Sequence, residues 1–393
     1  MRRNGLTSRT FWTVAAPVLF LLTVRGSAQT VPERLRLVHA DSLIGTVENG
    51  AVVQELRGHV DLIQGDARVR CQRAKWWRQE NRAILLQSVE IFDGRRTLHA
   101  DRVDYDGQAG EQTATGNVRI VSGSRLLSAR RVQYFRDTEQ AFAEGDVVVV
   151  DSAEHVTLSG DRGTYSKNLD YGKIEGRTHC IKTDTTSGEQ LIVSASTLES
   201  WNGAKRIVAT DSVEIVKADW RAACRTAEYL SDHEMLILRQ TPVVWYRNQQ
   251  MHGDSIDIKL DQIRFSGGLI RGGARIVSRD STIQDQLDGQ QIAFETQYTD
   301  VDTLLIITVD RQASSLYHVY DETEVDQGVN SVTGDQIVLT FRGDLLDNVL
   351  VRSDPGQCTG LFTPLEDEKR IARPLAPQSK PPSNQTGERV WKP

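Results

Sequence analysis

Residues Leu98–Tyr105, which read LHADRVDY, contain the pattern from which we predict the fold of this chain. An apolar residue stands two places before a small one, and apolar residues follow three and five places after it, with polar residues between. The pattern returns as LSARRVQY at Leu127–Tyr134 and as LSGDRGTY at Leu158–Tyr165. Apolar side chains two apart share one face of a strand, so each copy predicts a half-buried β-strand.

Weaker copies extend the repeat along most of the chain. Their small residues are Ala40, Cys71, Ala195, Cys224, Gly253, Gly289 and Gly334. A period of about 30 residues, held over so many copies, is typical of stacked repeats. One repeat cannot bury its apolar residues alone, so neighbouring repeats must stack.

The phase of the apolar residues predicts a bend inside each copy. The apolar residue before the small one is out of phase by one position with the two that follow it, and a regular strand cannot place all three on one face. We therefore expect a bulge or corner at the small residue. A second strand precedes each copy, as at Gly116–Ile120 and Gly145–Val149, and turn signals such as Asp106-Gly107 follow it. The sequence predicts an all-β, elongated stack of antiparallel hairpins.

The ends of the chain differ from the repeats. Arg2, the apolar run Phe11–Val24 and the small residues Gly26 and Ala28 predict a signal peptide over residues 1–28, and hence export. No later apolar run is long enough for a spanning helix.

The predicted organisation has three parts. Repeats are expected over residues 29–362, with a possible division into sub-domains 29–265 and 266–362. Residues 363–393 are charged and rich in Pro, which predicts a disordered tail. The formal net charge of -6 shows no basic footprint, so a nucleic-acid partner is not expected.

The repeat resembles that of the OstA-like (organic solvent tolerance) family. The resemblance rests on Ala100-Asp101-Arg102-Val103-x-Tyr105 followed by Gly116-Asn117-Val118, and it extends over roughly residues 38–351. That family includes the periplasmic lipopolysaccharide bridge protein and the periplasmic domain of the outer-membrane lipopolysaccharide translocon. The resemblance implies a β-jellyroll of two facing sheets, open like a shell, that holds lipid A acyl chains in its apolar crease.

The resemblance also implies partners. Other β-jellyroll transport proteins would join by edge-to-edge strand pairing, and the outer-membrane translocon would receive the lipopolysaccharide. The chain has too many repeats for the small bridge protein and lacks the strands of the translocon barrel. Its role as bridge or as translocon-associated protein therefore stays open.

The candidate lipid-binding groove consists of in-facing apolar residues. They are Leu98, Val103, Tyr105, Leu127, Val132, Tyr134, Leu158, Tyr165, Ile256 and Ile258. Such residues could instead simply pack sheet against sheet. The sequence contains no nucleophile motif, phosphate loop or metal-ligand spacing, so we expect no enzyme, no cofactor and no metal.

Two other functions remain open at this point. One is a β-solenoid surface spacer or adhesin, and the other is a parallel β-helix enzyme acting on polysaccharide. The recurring Asp101-Arg102 and Asp161-Arg162 pairs are interpreted as a solvated ladder that stabilises the bend. Cys71 and Cys224 occupy the same position five repeats apart, which is too distant for a disulfide.

Overall fold

The computed structural model describes residues 34–185, 187–246, 248–261, 264–278, 285–298, 303–320, 325–342 and 345–365. The predicted signal peptide and residues 366–393 of the predicted tail lie outside these ranges. Thr363 and Pro364, at the start of that tail, form the end of the last strand.

The described residues form strands with one short 3₁₀ turn at Ser231–His233. The first twelve strands are β1 Arg36–His39, β2 Ser42–Glu48, β3 Ala51–Gln64, β4 Ala67–Trp77, β5 Arg82–Phe92, β6 Arg96–Asp106, β7 Glu111–Ser122, β8 Arg125–Phe135, β9 Gln140–Asp151, β10 Val156–Ser166, β11 Tyr171–Thr183 and β12 Gln190–Trp201. The others are β13 Arg206–Val216, β14 Trp220–Leu230, β15 Met235–Arg239, β16 Val243–Tyr246, β17 Gln249–His252, β18 Ser255–Asp261, β19 Arg264–Ser278, β20 Gln286–Tyr298, β21 Thr303–Tyr320, β22 Asp326–Arg342, β23 Leu345–Arg352 and β24 Thr359–Pro364.

The chain divides into two compact units. Unit 1 comprises the described residues up to Ile215 together with Ala223–Gln240 and Ile258–Phe265. Unit 2 comprises Val216–Ala222, Thr241–Asp257 and the described residues from Ser266 onward.

Within each unit, successive strands pair as antiparallel hairpins. In unit 1 each strand from β3 to β12 pairs with the next along the chain. In unit 2 the series β19 to β22 is built the same way, and β22 then pairs with both β23 and β24. The predicted all-β antiparallel fold is confirmed. Antiparallel register also removes the parallel β-helix alternative for these strands.

Each long strand bends at the predicted position. In β6, Leu98 and Ala100 are buried, two exposed residues follow, and then Val103 and Tyr105 are buried. The register against β7 shifts between His99 and Arg102. Asp101 and Arg102 both face outward, which shifts the alternation of side chains by one position. Both halves of the strand therefore bury an apolar face.

The partner strand turns the same corner with two consecutive residues in the left-handed region, such as Gly116 and Asn117 with φ of 78° and 47°. The equivalent pairs in unit 1 are Gly58-His59, Gln87-Ser88, Gly145-Asp146, Gly176-Arg177 and Asp211-Ser212, and those in unit 2 are Gly272-Gly273 and Arg311-Gln312. Glycine suits the first position because it carries no Cβ and pays little to adopt a positive φ.

Polar side chains tie the corners together. Asn117 Nδ2 donates to Asp101 Oδ2 at 2.9 Å, and the Arg177 guanidinium donates to Asp161 Oδ1 at 2.7 Å. These acids belong to the recurring Asp-Arg pairs, and each accepts a hydrogen bond from a side chain at the corner of the partner strand. Arg102 bonds Asp104 on its own strand instead.

In unit 1 the bend divides the strands into two half-sheets, which we call arm A and arm B. Arm A comprises residues 60–64, 67–71, 89–92, 96–100, 118–122, 125–129, 147–151, 156–160, 178–183 and 190–195. Arm B comprises residues 54–57, 73–77, 82–86, 102–106, 111–115, 131–135, 140–144, 162–166, 171–175 and 197–201.

Candidate functional site

The inner faces of arms A and B form a continuous apolar interior in unit 1. Arm A contributes Leu98 and Leu127, and arm B contributes Val103 and Val132, all of which are fully buried or nearly so. Leu158, also on arm A, is half-buried. A buried residue, apolar in most cases, recurs at every second position of the half-strands, so this interior runs from strand to strand through the stack.

A cavity between the arms shows that the two inner faces oppose each other. It is lined by Leu127, Val149 and Cys180 from arm A and by Ile174 and Leu198 from arm B. Its volume is about 60 Å³, roughly the share of two water molecules in the liquid. The interior is therefore largely filled by its own side chains.

Gly163 lines the cavity. It lies on arm B at the position that Val103 and Val132 occupy in neighbouring repeats. A Cβ at Gly163 would lie 3.2 Å from Ile174 Cδ1 and 3.5 Å from Val147 Cγ1, which belongs to arm A. Neighbouring side chains from both arms therefore already fill the place where a side chain at this position would begin.

Polar residues meet at the rim, where both arms end. Gln64 Nε2, at the end of arm A, donates to Tyr105 Oη on arm B at 2.6 Å. Two strands further, the positive charge of Arg96 opposes the rise that burial causes in the pKa of Tyr134. Arg125 has the same effect on the pKa of Tyr165. The tyrosines of the repeat therefore lie beneath polar residues of the opposite arm.

Acids hold the rim arginines in place. Arg125 Nε donates to Asp151 Oδ2 at 2.7 Å, and Arg96 Nε lies 3.3 Å from Asp93 Oδ2. Burial alone would raise the pKa of Asp151, but hydrogen bonds from Arg125 and Ser124 outweigh it, and the pKa falls below its ordinary value. Asp151 is therefore ionised at neutral pH, although its side chain is 1% exposed.

Burial has the opposite effect on the phenols and the thiol. It raises the pKa of Tyr134 and of Tyr165 to about 12 and that of Cys180 to about 12. These groups are protonated at neutral pH, so the interior offers neutral donors and no thiolate nucleophile. The arrangement suits binding of a molecule with an apolar part and a polar part rather than acid–base chemistry.

The remaining predicted groove residues are also buried but do not all share a unit. Ile256 belongs to unit 2 and Ile258 to unit 1, and both are fully buried. Cys71 and Cys224 are free thiols in matching places, since each Sγ donates to the carbonyl two residues on, at 3.2 Å and 3.3 Å.

Two kinds of feature are absent from the residues that the structure describes. Among them no group of His, Cys, Asp and Glu is arranged to hold a metal ion. Within the same ranges no helix is both long and apolar enough to cross a membrane.

Sequence reasoning missed three features of this site. The rim contacts join residues far apart in the chain, and no local pattern marks them. The cavity depends on how closely the arms approach, which no local pattern marks either. The left-handed corner pairs did have a signal, because dipeptides such as Gly116-Asn117 and Gly145-Asp146 favour positive φ.

Comparison with known proteins supports the resemblance found in the repeat. Residues 97–263 match the family described as LptA/(LptD N-terminal domain) LPS transport protein, and the OstA-like resemblance is thereby confirmed. No curated protein sequence matches the chain. Among solved structures, LptH from Pseudomonas aeruginosa, titled the LptA homologous periplasmic component of the conserved lipopolysaccharide transport device, aligns with 13% identity and a TM-score of 0.20. The alignment covers 37% of this chain and 82% of LptH.

Proposed function

We propose that this chain, an OstA-like protein by the match of its residues 97–263, is a periplasmic lipopolysaccharide transport protein that holds lipid A acyl chains between arms A and B. The observation that carries the proposal is the apolar interior, which continues through every repeat of unit 1 and ends at a polar rim. In unit 1, Leu98, Val103, Leu127, Val132, Leu158 and Ile258 would contact acyl chains, and in unit 2 Ile256 would do so.

The energetics favour a lipid that is held firmly and can still slide. An acyl chain gains about 0.8 kcal/mol for each CH₂ removed from water. Moving the chain by one repeat exchanges one set of apolar contacts for a similar set, so translation along the groove costs little. A single deep pocket would not have this property.

The lipid can enter only if the arms separate, because the cavity between them is about 60 Å³. Separation must break the bond between Gln64 and Tyr105 at the rim. Each lost hydrogen bond costs about 1 kcal/mol net, which the burial of a few CH₂ groups offsets. The headgroup would then lie at the rim, where Arg96 and Arg125 offer donors to phosphate and sugar oxygens.

Partners would join at the exposed edge strands of each unit. In unit 1, β2 exposes Leu43 and Val47 at 49% and 71%. In unit 2 every residue of β24 is exposed, including Leu361 at 65%. Apolar edge strands of this kind accept a strand from another protein. We propose that other β-jellyroll transport proteins pair there and deliver lipopolysaccharide to the outer-membrane translocon.

The test is a mass spectrum of the lipid extracted from gently purified protein. Wild-type protein should carry a glycolipid with lipid A acyl chains. Val132→Asp should fold, as checked by circular dichroism, and carry little lipid, because its carboxylate would lie buried and unpaired beside the acyl chain. Gln133→Asp, on the outer side of the same strand, is the matched control and should bind as the wild type does.

Folded wild-type protein without lipid, or equal lipid on both variants, would contradict the proposal. The spacer function would then explain the same stacked fold.

A further inference from the structure

The outer face of arm A carries an apolar row that the proposed groove does not use. Its residues are Phe92, Val121, Leu126, Val150, Ile181 and Ile192. They are neighbours from strand to strand: Val121 pairs with Leu126, Leu126 with Val150, and Ile181 with Ile192. Thr97 and Thr157 fill the two remaining places in the row.

Arm A is therefore apolar on both of its faces. Val147 and Val149 point into the interior, whereas Val148 and Val150 point outward and are half-buried. Phe92 and Val121 on the outer row are 45% and 41% exposed. Strands that are apolar on both faces normally have both faces covered. One face of arm A is covered by arm B, whereas the outer row on the other face is exposed at Phe92 and Val121 and half-buried at its other apolar residues.

A second row beside the first is also free of formal charge across five strands. It consists of Ser128, Val148, Ser159, His179 and Ser194, and on the three preceding strands the same row carries Arg119, His99 and Glu90. The eight places of the first row and these five uncharged places of the second form a surface that we call the arm A patch.

The outer face of arm B provides the internal comparison. At the equivalent positions it carries Lys173 opposite Glu199, and Arg131 opposite Glu144. Because both arms are built from the same strands, the repeat alone does not explain the lack of charge on the arm A patch.

We propose that the arm A patch is a self-association surface, on which a second copy of this chain packs face to face. A twofold axis would bring two identical uncharged surfaces together. Two copies of a chain with a net charge of -6 would therefore not repel each other at this contact. Sheet faces of this kind pack about 10 Å apart. The side chains are mostly short and β-branched, and they do not project as membrane-inserting residues do.

The size of the patch determines the strength of the contact. At about 4.8 Å between strands and about 7 Å between rows, the eight places of the first row and the five of the second cover about 400 Å² for each copy. Stable interfaces bury about 800 Å² for each partner. The dimer is therefore reversible and forms at high local concentration, as where many copies gather at one membrane.

Sedimentation of the full exported chain from about 1 µM to about 1 mM tests the proposal. The sedimentation coefficient of the wild type should rise with concentration. Val150 lies near the centre of the patch, and Val150→Lys should weaken association at least about tenfold, because a twofold interface contains the substitution twice. Thr113→Lys, on the outer face of arm B, should associate as the wild type does.

A charge-reversal mixture identifies the partner. Val150→Lys and Val150→Glu should each be monomeric, and an equimolar mixture should recover association because opposite charges then meet across the axis. A photo-crosslinker at Leu126 should capture a second copy of the chain in cells.

Three outcomes would overturn the proposal. The first is a wild type that is monomeric over the whole concentration range. The second is association that Val150→Lys leaves unchanged, which would point to pairing at β2 or β24. The third is capture by Leu126 of only lipid or another protein.

Discussion

Replacing Gly116 by Ala tests how the corner holds the strands together. Gly116 has a φ of 78°, and an added Cβ would lie 2.3 Å from Asp101 Oδ2 and 2.9 Å from its Cγ. Alanine would meet two costs. The left-handed conformation costs about 1 kcal/mol for a residue with a Cβ. Asp101 must also move and give up the bond from Asn117 Nδ2, which is worth about 1 kcal/mol.

Gly123 supplies the matched control. It has a φ of 59°, and an added Cβ would meet nothing within 4 Å. Gly123→Ala should lower the free energy of unfolding by about 1 kcal/mol through the backbone alone, and Gly116→Ala by about 2–3 kcal/mol. Urea unfolding followed by circular dichroism measures both values.

Asp101, whose side chain contacts Gly116, allows a second check. In an Asp101→Gly background, Gly116→Ala should cost no more than Gly123→Ala does, because the clash is gone. Equal losses for Gly116→Ala and Gly123→Ala in the wild-type background would refute the reasoning, since Asp101 would then not constrain the corner.

Two further substitutions test the rim. Tyr105→Phe removes the hydroxyl that accepts from Gln64, and it should lower the free energy of unfolding by about 1 kcal/mol and speed uptake of a fluorescent acyl lipid. Slower uptake, or no change, would mean that this bond does not hold the arms together. Asp151→Asn should lower the free energy of unfolding at pH 7 by about 1–3 kcal/mol, because Arg125 loses its charged acceptor. The folded-state pKa of Asp151 is depressed, so its contribution is present above the unfolded pKa near 4 and is lost as the pH falls through the lower folded value. Between pH 4 and pH 2 the free energy of unfolding should fall less for the variant than for the wild type. An equal fall in both would contradict this assignment.

The sequence predicted the fold well because its signals are local and repeated. Two apolar positions out of phase around Ala100 required a bend, and the register shift between His99 and Arg102 lies there. The turn signal at Asp106-Gly107 marked a hairpin that the structure contains between β6 and β7. Many weak copies in register outweigh the ambiguity of any single one.

The site was less predictable because it depends on contacts between distant residues. The sequence identified which side chains face inward, such as Leu127 and Val132, but not how closely the arms approach. Gln64 and Tyr105 are 41 residues apart, and their contact follows only from the folded geometry. The arm A patch was visible in the run Val147–Val150, yet an all-valine run in a strand alone does not reveal what covers its second face.

Photo-crosslinking in cells at neighbouring positions of one strand tests the central claim most directly. Tyr134 points into the interior and is 1% exposed, whereas Gln133 lies on the outer side of the same strand. A photoreactive residue at 134 should capture lipopolysaccharide, and one at 133 should not, with positions 105 and 104 repeating the pattern one repeat away. Capture at 134 and 105 alone is the result we predict. Equal capture on both faces, or none on either, would contradict a lipid path between the arms.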